Sequence, residues 1–426
     1  MELNQLLNHD IACSCGRIHR CDIDLVDIGR GAIERLPESM KNFENILLVA
    51  DSNTFAVCGE RVRGLLGDRA ENICLFVTDG LLVPDEAAIS AVEEKMTSAT
   101  DLILGIGSGV INDICKYVSF FKNIKSGIVA TAPSMDGFAS SGAAMILGGM
   151  KVTVTTHAPA LIVGDTEVLK NAPIDMIRSG YADIIGKYSA LNDWKLSHLI
   201  NGEYLCPEVY ALVKEKTDLI RSLAKDIAAR KPAAIEELMR DLVLIGVTLT
   251  LLCTTRPGSG SEHHLSHYFE ITGILEDKPY FLHGTDVGYS TIVTARLREQ
   301  LRALEKPEFS SVSDGMREKC YEKIYGRIAG EVSELQKSAG RYANPVSDVY
   351  REKWNEVVWV LNECPTAAEI EEMLTDCGFD LSLFDEMYGA RKIQNGIWFA
   401  KDLKDRYSVL WLYFNVFFTE SEAQKI

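Results

Sequence analysis

The sequence predicts an α/β N-terminal domain built on a parallel sheet, followed by an all-α C-terminal domain. Three observations predict it. Short β-rich runs alternate with helical stretches over roughly the first 165 residues, the pattern of βαβ units. Strand signals almost vanish after Asp165. Long segments with apolar residues three and four positions apart then take over. The domains are therefore expected at 1–165 and 166–426.

In chain order, CSCGRIHRC places Cys13, Cys15, His19 and Cys21 within nine residues. It reads as a short hairpin with buried thiols or as a small zinc site, although C-x-C is tighter than usual zinc spacing. Strands are expected at 45–50, 72–77, 101–105 and 127–130, with helices at 84–97 and 110–121 between them. MKVTVTTHAP and ALIVGD are β-branched runs close enough for a hairpin or an edge pair. Helices are expected at 174–200, 210–229 and 232–253. The aromatic tail YSVLWLYFNVFF reads as a core helix or a subunit contact.

With 61 acidic against 44 basic residues the formal charge is −17, which argues against a nucleic-acid or anionic-membrane partner. The longest apolar stretches, 242–253 and 407–418, fall short of the roughly 20 residues a membrane span needs. MELNQLLNHD lacks the basic and apolar regions of a secretory signal. Eleven scattered cysteines, an odd number, fit reduced thiols better than a disulfide framework. A soluble, cytoplasmic enzyme is the expectation.

Two constellations carry chemistry. DLILGIGSGVINDICKY holds a strand, a turn with Gly105, Gly107 and Gly109, then an amphipathic helix. Glycines let backbone approach an anion, and a helix N-terminus directs N–H groups at it. Val110 stands where the dinucleotide fingerprint has its third glycine, so a ligand-free turn is the alternative. Asp51 follows a strand and suits either a nucleotide ribose or a helix N-cap. TAPSMDGFASSGAAM clusters Thr131, Ser134, Asp136, Ser140 and Ser141 in a second turn, suited to ribose and pyrophosphate contacts.

The second constellation is histidine-rich: four of the eight histidines, His263, His264, His267 and His283, fall between residues 263 and 283. In a helix His263 and His267 share a face. Asp183 in SGYADIIGKYSALNDW is the best acidic third ligand for a divalent cation. Lys187 follows four residues on, so an ordinary Asp183–Lys187 ion pair and a polar histidine face are the alternative.

Taken together, GIGSGVIND, TAPSMDGFASSG, SGYADIIGKYSALNDW and the GSEHHLSH…LHGTDVG pair resemble the superfamily of iron-type alcohol dehydrogenases, glycerol dehydrogenases and dehydroquinate synthases. They span residues 105–288. RPGSGSEHHLSH, ADIIGKYSALNDWKLS and CSCGRIHRC are most similar to the sn-glycerol-1-phosphate dehydrogenase family in its bacterial, arabinose-operon-associated form. The resemblance implies a Rossmann-like first domain and an active site in the interdomain cleft. It implies one divalent metal, zinc or nickel, on Asp183, His263 and His283. It implies NAD(H) or NADP(H), with Gly107, Ser108, Gly109, Val110 and Ile111 around the pyrophosphate. Thr131, Ser134 and Ser140 would hold the rest of the dinucleotide and Asp51 its adenosine ribose, with a lean to NADH.

Asp136, Asp183 and His267 would meet substrate, and His267, Asp136 and Lys187 are the expected catalytic residues. Dehydroquinate synthases carry Glu in place of Asp183 and lack a turn like PSMDGF. Iron-type alcohol dehydrogenases carry a fourth ligand, His, where Lys187 stands here, so a three-ligand site is implied. The expected reaction interconverts dihydroxyacetone phosphate and sn-glycerol 1-phosphate, for glycerophospholipid or related ether-lipid synthesis. Lys187 and Arg256 are candidates for the substrate phosphate, and a homodimer is expected. The alternatives are a glycerol or polyol dehydrogenase, a carbocycle-forming synthase of the dehydroquinate type, and a non-catalytic nucleotide-binding regulator.

Overall fold

A computed structural model of the chain describes residues 3–77, 82–148, 150–310, 313–343 and 346–426. Contacts divide it into two compact units: Met1–Ile184 with Ser222–Thr255, and Ile185–Arg221 with Arg256–Ile426. The last strand ends at Asp165, as expected, but the first unit keeps the helices up to Ile184 and the long helix Pro232–Leu252.

The first unit is built on six parallel strands, β1 (Leu25–Gly29), β2 (Ile46–Asp51), β3 (Ile73–Phe76), β4 (Leu102–Gly107), β5 (Lys125–Ala130) and β6 (Leu161–Asp165). Their order in the sheet is β1-β6-β5-β4-β2-β3. Every residue of β4 and β6 is buried, which is why these strands read as apolar runs rather than alternating ones. Ile46, Leu48, Leu102, Leu104 and Ile106 pack on one face with Leu36, Val62 and Leu66.

One expectation needs correcting. ALIVGD does not pair with MKVTVT; it enters the sheet as β6, between β1 and β5. Both its faces are buried, so it belongs inside the sheet rather than at an edge. Met150–Thr155 pairs instead with Gly142–Leu147, in an antiparallel hairpin. β1 itself escaped the sequence reading, because LVDIG is short and carries Asp27 at its centre.

Six helices matter for function: α1 (Gly109–Lys122), α2 (Ile174–Ile185), α3 (Lys187–Asn201), α4 (Pro232–Leu252), α5 (Ser261–Glu276) and α6 (His283–Arg302). The single helix expected at 174–200 is α2 and α3, divided at Gly186. The second unit is helical, and α5 and α6 pack against each other within it. Its aromatic tail forms the helix Val409–Phe417, whose residues 409–414 are buried within the chain, settling the tail as core. Among the described residues no helix is long and apolar enough to cross a membrane.

Candidate active site

In the first unit the chain passes from β2 outward to β3, then returns to place β4 on the other side of β2. That reversal is a switch point, where open α/β sheets leave a crevice beyond the carboxyl ends of the strands. β2 ends there in Asp51 and β4 ends in Gly107, followed by Ser108 and the start of α1 at Gly109. The N–H groups of Gly109, Val110 and Ile111 belong to the first turn of α1 and have no carbonyl partner within that helix. A Cβ on Gly107 would lie 2.7 Å from Ile111 Cγ1. Glycine at 107 is what lets the helix start this close to the strand.

One continuous network draws the second turn onto the first. Thr131 donates its N–H to the Gly107 carbonyl (2.9 Å), and the Ser108 and Ser134 hydroxyls are 2.5 Å apart. Lys116, fully buried on α1, donates to the carbonyls of Gly137, Ser140 and Gly142 and pairs with Asp113 at 2.8 Å. Asn112, one turn earlier on the same face, donates to the Phe138 carbonyl (3.3 Å). Ser140 closes the turn on itself, its hydroxyl donating to the Gly137 carbonyl (3.1 Å). Sequence reasoning missed Asn112 and Lys116. Their signal was two polar residues, four apart, on the apolar face of an amphipathic helix.

α2 docks on this turn through three residues of SGYAD. Ser179 donates to the Ser134 carbonyl (3.0 Å), and Gly180 lies so close to the Pro133 carbonyl that no Cβ fits there. Asp183 is fully buried and its Oδ2 accepts the Asp136 N–H at 2.9 Å. The spacing 179, 180, 183 is one helix face, so the motif couples Asp183 to the PSMDGF turn. The chain enters the second unit at Ile185, two residues later. Asp136 is itself buried.

Asp51 is a helix cap in this structure: its Oδ1 accepts the N–H groups of Asn53 and Thr54, each at 2.9 Å. Capping leaves it at the end of β2.

In the second unit, α5 and α6 bring three of the predicted histidines together. The ring centroids of His263 and His283 are 5.1 Å apart, those of His267 and His283 5.4 Å, and those of His263 and His267 6.4 Å. His263 and His283 offer ligand nitrogens within 4.8 Å of each other, and so do His267 and His283, with Glu270. The start of α5 is pinned by Asp193 of α3. Its Oδ2 accepts the Ser261 N–H (2.6 Å), while its Oδ1 takes the Val409 N–H (2.8 Å) and pairs with Arg298 (2.8 Å). A Cβ on Gly260 would lie 2.7 Å from that same Oδ2, so GSGSEHH needs its second glycine.

The donor chemistry fits a divalent transition metal. Glu262 is fully buried, accepts the Gly260 N–H (2.7 Å) and faces His263 Nδ1 at 2.8 Å. Burial opposes its charge, but the hydrogen bond from His263 holds its carboxyl below the usual range. An ionised carboxylate only accepts, so Nδ1 of His263 carries the proton and Nε2 presents its lone pair. His283 is arranged alike, with Nδ1 3.3 Å from the Ser266 hydroxyl, which donates to the His283 carbonyl (3.2 Å). Glu262 was missed from sequence because adjacent helix residues do not normally face each other.

His264 points elsewhere. Fully buried, it has neither ring nitrogen hydrogen-bonded. Burial, then the charges of Lys404, Arg406 and Arg256, hold it well below the usual imidazole range and therefore neutral. Of the two residues suggested for the substrate phosphate, Lys187 is fully buried and donates to the Gly258 carbonyl (2.9 Å). Arg256 is committed to structure: Nε and Nη2 grip Glu203 at 2.6 and 2.5 Å, and Nη1 donates to the Tyr407 carbonyl (2.7 Å). Its forked geometry is spent on a carboxylate, which removes it as a phosphate ligand.

Comparison with known proteins agrees with this architecture. Residues 27–173 match the family model of iron-containing alcohol dehydrogenases. The glycerol-1-phosphate dehydrogenase [NAD(P)+] of Bacillus licheniformis is 34% identical over 372 residues, covering 80% of this chain and 90% of that one. In fold, the chain is similar to sulfoacetaldehyde reductase from Bifidobacterium kashiwanohense, solved with NAD+ (TM-score 0.60, 14% identity, 96% and 98% covered). It is also similar to glycerol dehydrogenase from Schizosaccharomyces pombe (TM-score 0.54, 16% identity, 87% and 92% covered). A nicotinamide dinucleotide and a divalent metal fit the family and the donors described above. The chain belongs to the glycerol-1-phosphate dehydrogenase family.

Proposed function

We propose that this protein reduces dihydroxyacetone phosphate to sn-glycerol 1-phosphate with NADH or NADPH, and catalyses the reverse oxidation. The observation that carries the reading is His263, with a buried carboxylate on Nδ1 and the His283 imidazole within a shared ion's reach of its ring. Asp183 would complete the ligand set, and a zinc or nickel ion held by Asp183, His263 and His283 would supply Lewis-acid polarisation of the C2 ketone, with the reduced nicotinamide as hydride source.

The chain's own residues do the rest. The first-turn N–H groups at 109–111 bind the pyrophosphate, and Thr131, Ser134 and Ser140 hold the remainder of the dinucleotide. Asp51 accepts from the adenosine ribose and repels a 2′-phosphate, favouring NADH. Asp136, whose backbone is tied to Asp183, orients nicotinamide and substrate. His267 delivers the proton that turns the reduced C2 oxygen into a hydroxyl, and takes it back in the oxidative direction. Lys187 contributes positive charge, and Lys404 and Arg406, which together repel a proton from His264, attract the substrate phosphate in place of Arg256. The product is a glycerophospholipid or ether-lipid backbone, made by a cytoplasmic homodimer.

Absorbance at the reduced-nicotinamide band, followed with dihydroxyacetone phosphate and metal-replete enzyme, tests the reading. Fast loss of absorbance and a product of sn-1 configuration are expected. Turnover of glycerol or dihydroxyacetone at the same efficiency as the phosphate ester would make the protein a polyol dehydrogenase instead.

A further inference from the structure

The N-terminal hairpin is a poor candidate for independent stability. Its strands Ile11–Ala12 and Ile18–His19 are two residues each, paired Ile11 to His19 and Ala12 to Ile18. Ile18 is 71% exposed, so the hairpin has almost no apolar face, and isolated two-stranded hairpins are marginal in water even with one. The turn between the strands is nevertheless tight and specific. Cys13 donates its N–H to the Arg17 carbonyl, Gly16 donates to the Cys13 carbonyl, each at 3.0 Å, and Gly16 sits at φ +82°.

That turn gathers soft ligands. The ligand atoms of Cys13, Cys15 and His19 lie within 4.8 Å of one another, with Cys15 Sγ 3.3 Å from His19 Nε2. In a tetrahedral zinc site, metal–ligand bond lengths put sulfur and nitrogen about 3.6 Å apart and two sulfurs about 3.8 Å apart. The other ring nitrogen of His19, Nδ1, is 3.1 Å from the Leu251 carbonyl. A carbonyl only accepts, so Nδ1 carries the proton and Nε2 turns its lone pair toward the two sulfurs. This is the arrangement by which a backbone carbonyl orients a metal-bound histidine. None of the eleven cysteines forms a disulfide, so both sulfurs can ligate.

We propose that Cys13, Cys15 and His19 form a structural zinc site, separate from the catalytic metal, that fastens the N-terminal hairpin to the end of α4. Binding deprotonates both thiols, releases two protons and leaves zinc, two thiolates and a neutral imidazole with no net charge. The fourth position is filled by a further thiolate or by water. α4 lies against the PSMDGF turn, where a Cβ on Gly246 would meet the Asp136 carbonyl oxygen at 2.6 Å. The ion therefore steadies a helix that backs the cofactor turn.

Cobalt spectroscopy on the full-length enzyme tests this without relying on activity. Cobalt bound by thiolates gives a sulfur-to-metal charge-transfer band, which a site of carboxylate and imidazoles does not. The band is expected in the wild type, retained in His263→Ala, and lost together with one zinc equivalent in Cys13→Ser/Cys15→Ser. A second measurement needs no variant: zinc should shield Cys13 and Cys15 from iodoacetamide, and chelation should expose them. A cobalt-loaded wild type with no thiolate band, a band that survives the double substitution, or alkylation indifferent to zinc would each overturn the proposal. Failure of the catalytic reading would leave all three readouts untouched.

Discussion

In the sheet-bearing unit the residues at the carboxyl ends of β2, β4 and β5 are mostly small: Gly107, Gly109, Ser108, Thr131 and Ser134, with Lys116 and Asn112 pinning the backbone from behind. In the helical unit the corresponding residues are large and titratable: His263, His267 and His283, each on a helix whose start is held by a hydrogen bond, buried in α5 and partly buried in α6. On the proposed reading, one unit recognises its ligand with main chain, the other with side chains. Adding an atom damages the first kind of site, and deleting one damages the second. Substitutions that follow this rule should separate the two functions of the enzyme.

The largest effect is expected from His263→Ala. A Lewis acid stabilises charge by several kcal/mol, so turnover should fall by about 1,000-fold or more. Metal content should fall with it, while NADH affinity, measured by fluorescence titration, stays within about twofold. Arg256→Ala probes the helical unit's framework rather than its chemistry. Arg256 is buried but Glu203 keeps about a third of its surface exposed, so breaking the pair costs about 2 kcal/mol, between the exposed and buried limits, visible in thermal or denaturant unfolding. Burial opposes the charge of Glu203, but Arg256 outweighs it and holds that carboxyl below the usual range. The pair's stabilisation is therefore complete above the unfolded carboxylate value and lost as pH falls through the folded one. In Arg256→Ala the acid limb of stability should lose this contribution.

Next in size is Glu262→Gln, which weakens the orientation of His263 without deleting a ligand. Metal affinity should drop roughly 10- to 100-fold, with turnover largely recovered at saturating metal. Gly107→Ala is its counterpart in the other unit. Its Cβ meets Ile111 at 2.7 Å, an overpacking worth about 1–2 kcal/mol. NADH should bind about tenfold more weakly, with metal content unchanged. Asp51→Asn should be smallest, because asparagine caps a helix as well as aspartate. Stability should move by less than about 0.5 kcal/mol, while the NADPH-to-NADH efficiency ratio rises.

Much of this was legible in the string, for reasons that differ by region. β4 and β6 read plainly because buried parallel strands are apolar on both faces, and the glycines after β4 mark a turn whatever its ligand. Pairing was less legible. Proximity in sequence suggested that ALIVGD joins MKVTVT, whereas β6 pairs with β1 and β5, more than 100 and about 30 residues upstream. The histidines announced themselves by density, since spacing alone puts His263 and His267 on one face. What supports them stayed hidden: Glu262 is adjacent to His263, and Asp193 acts through backbone N–H groups across 68 residues. Arg256 looked like an anion ligand because sequence shows charge but not the carboxylate that consumes it.

The central claim is the identity of the catalytic ion's ligands. Anomalous-difference density from crystals of the metal-loaded enzyme tests it most directly. Density bonded to Asp183, His263 and His283, with His267 beyond bonding distance, is the result predicted. An ion bonded instead to His267, Glu270 and His283, whose ligand atoms lie within 4.8 Å of one another, would contradict it.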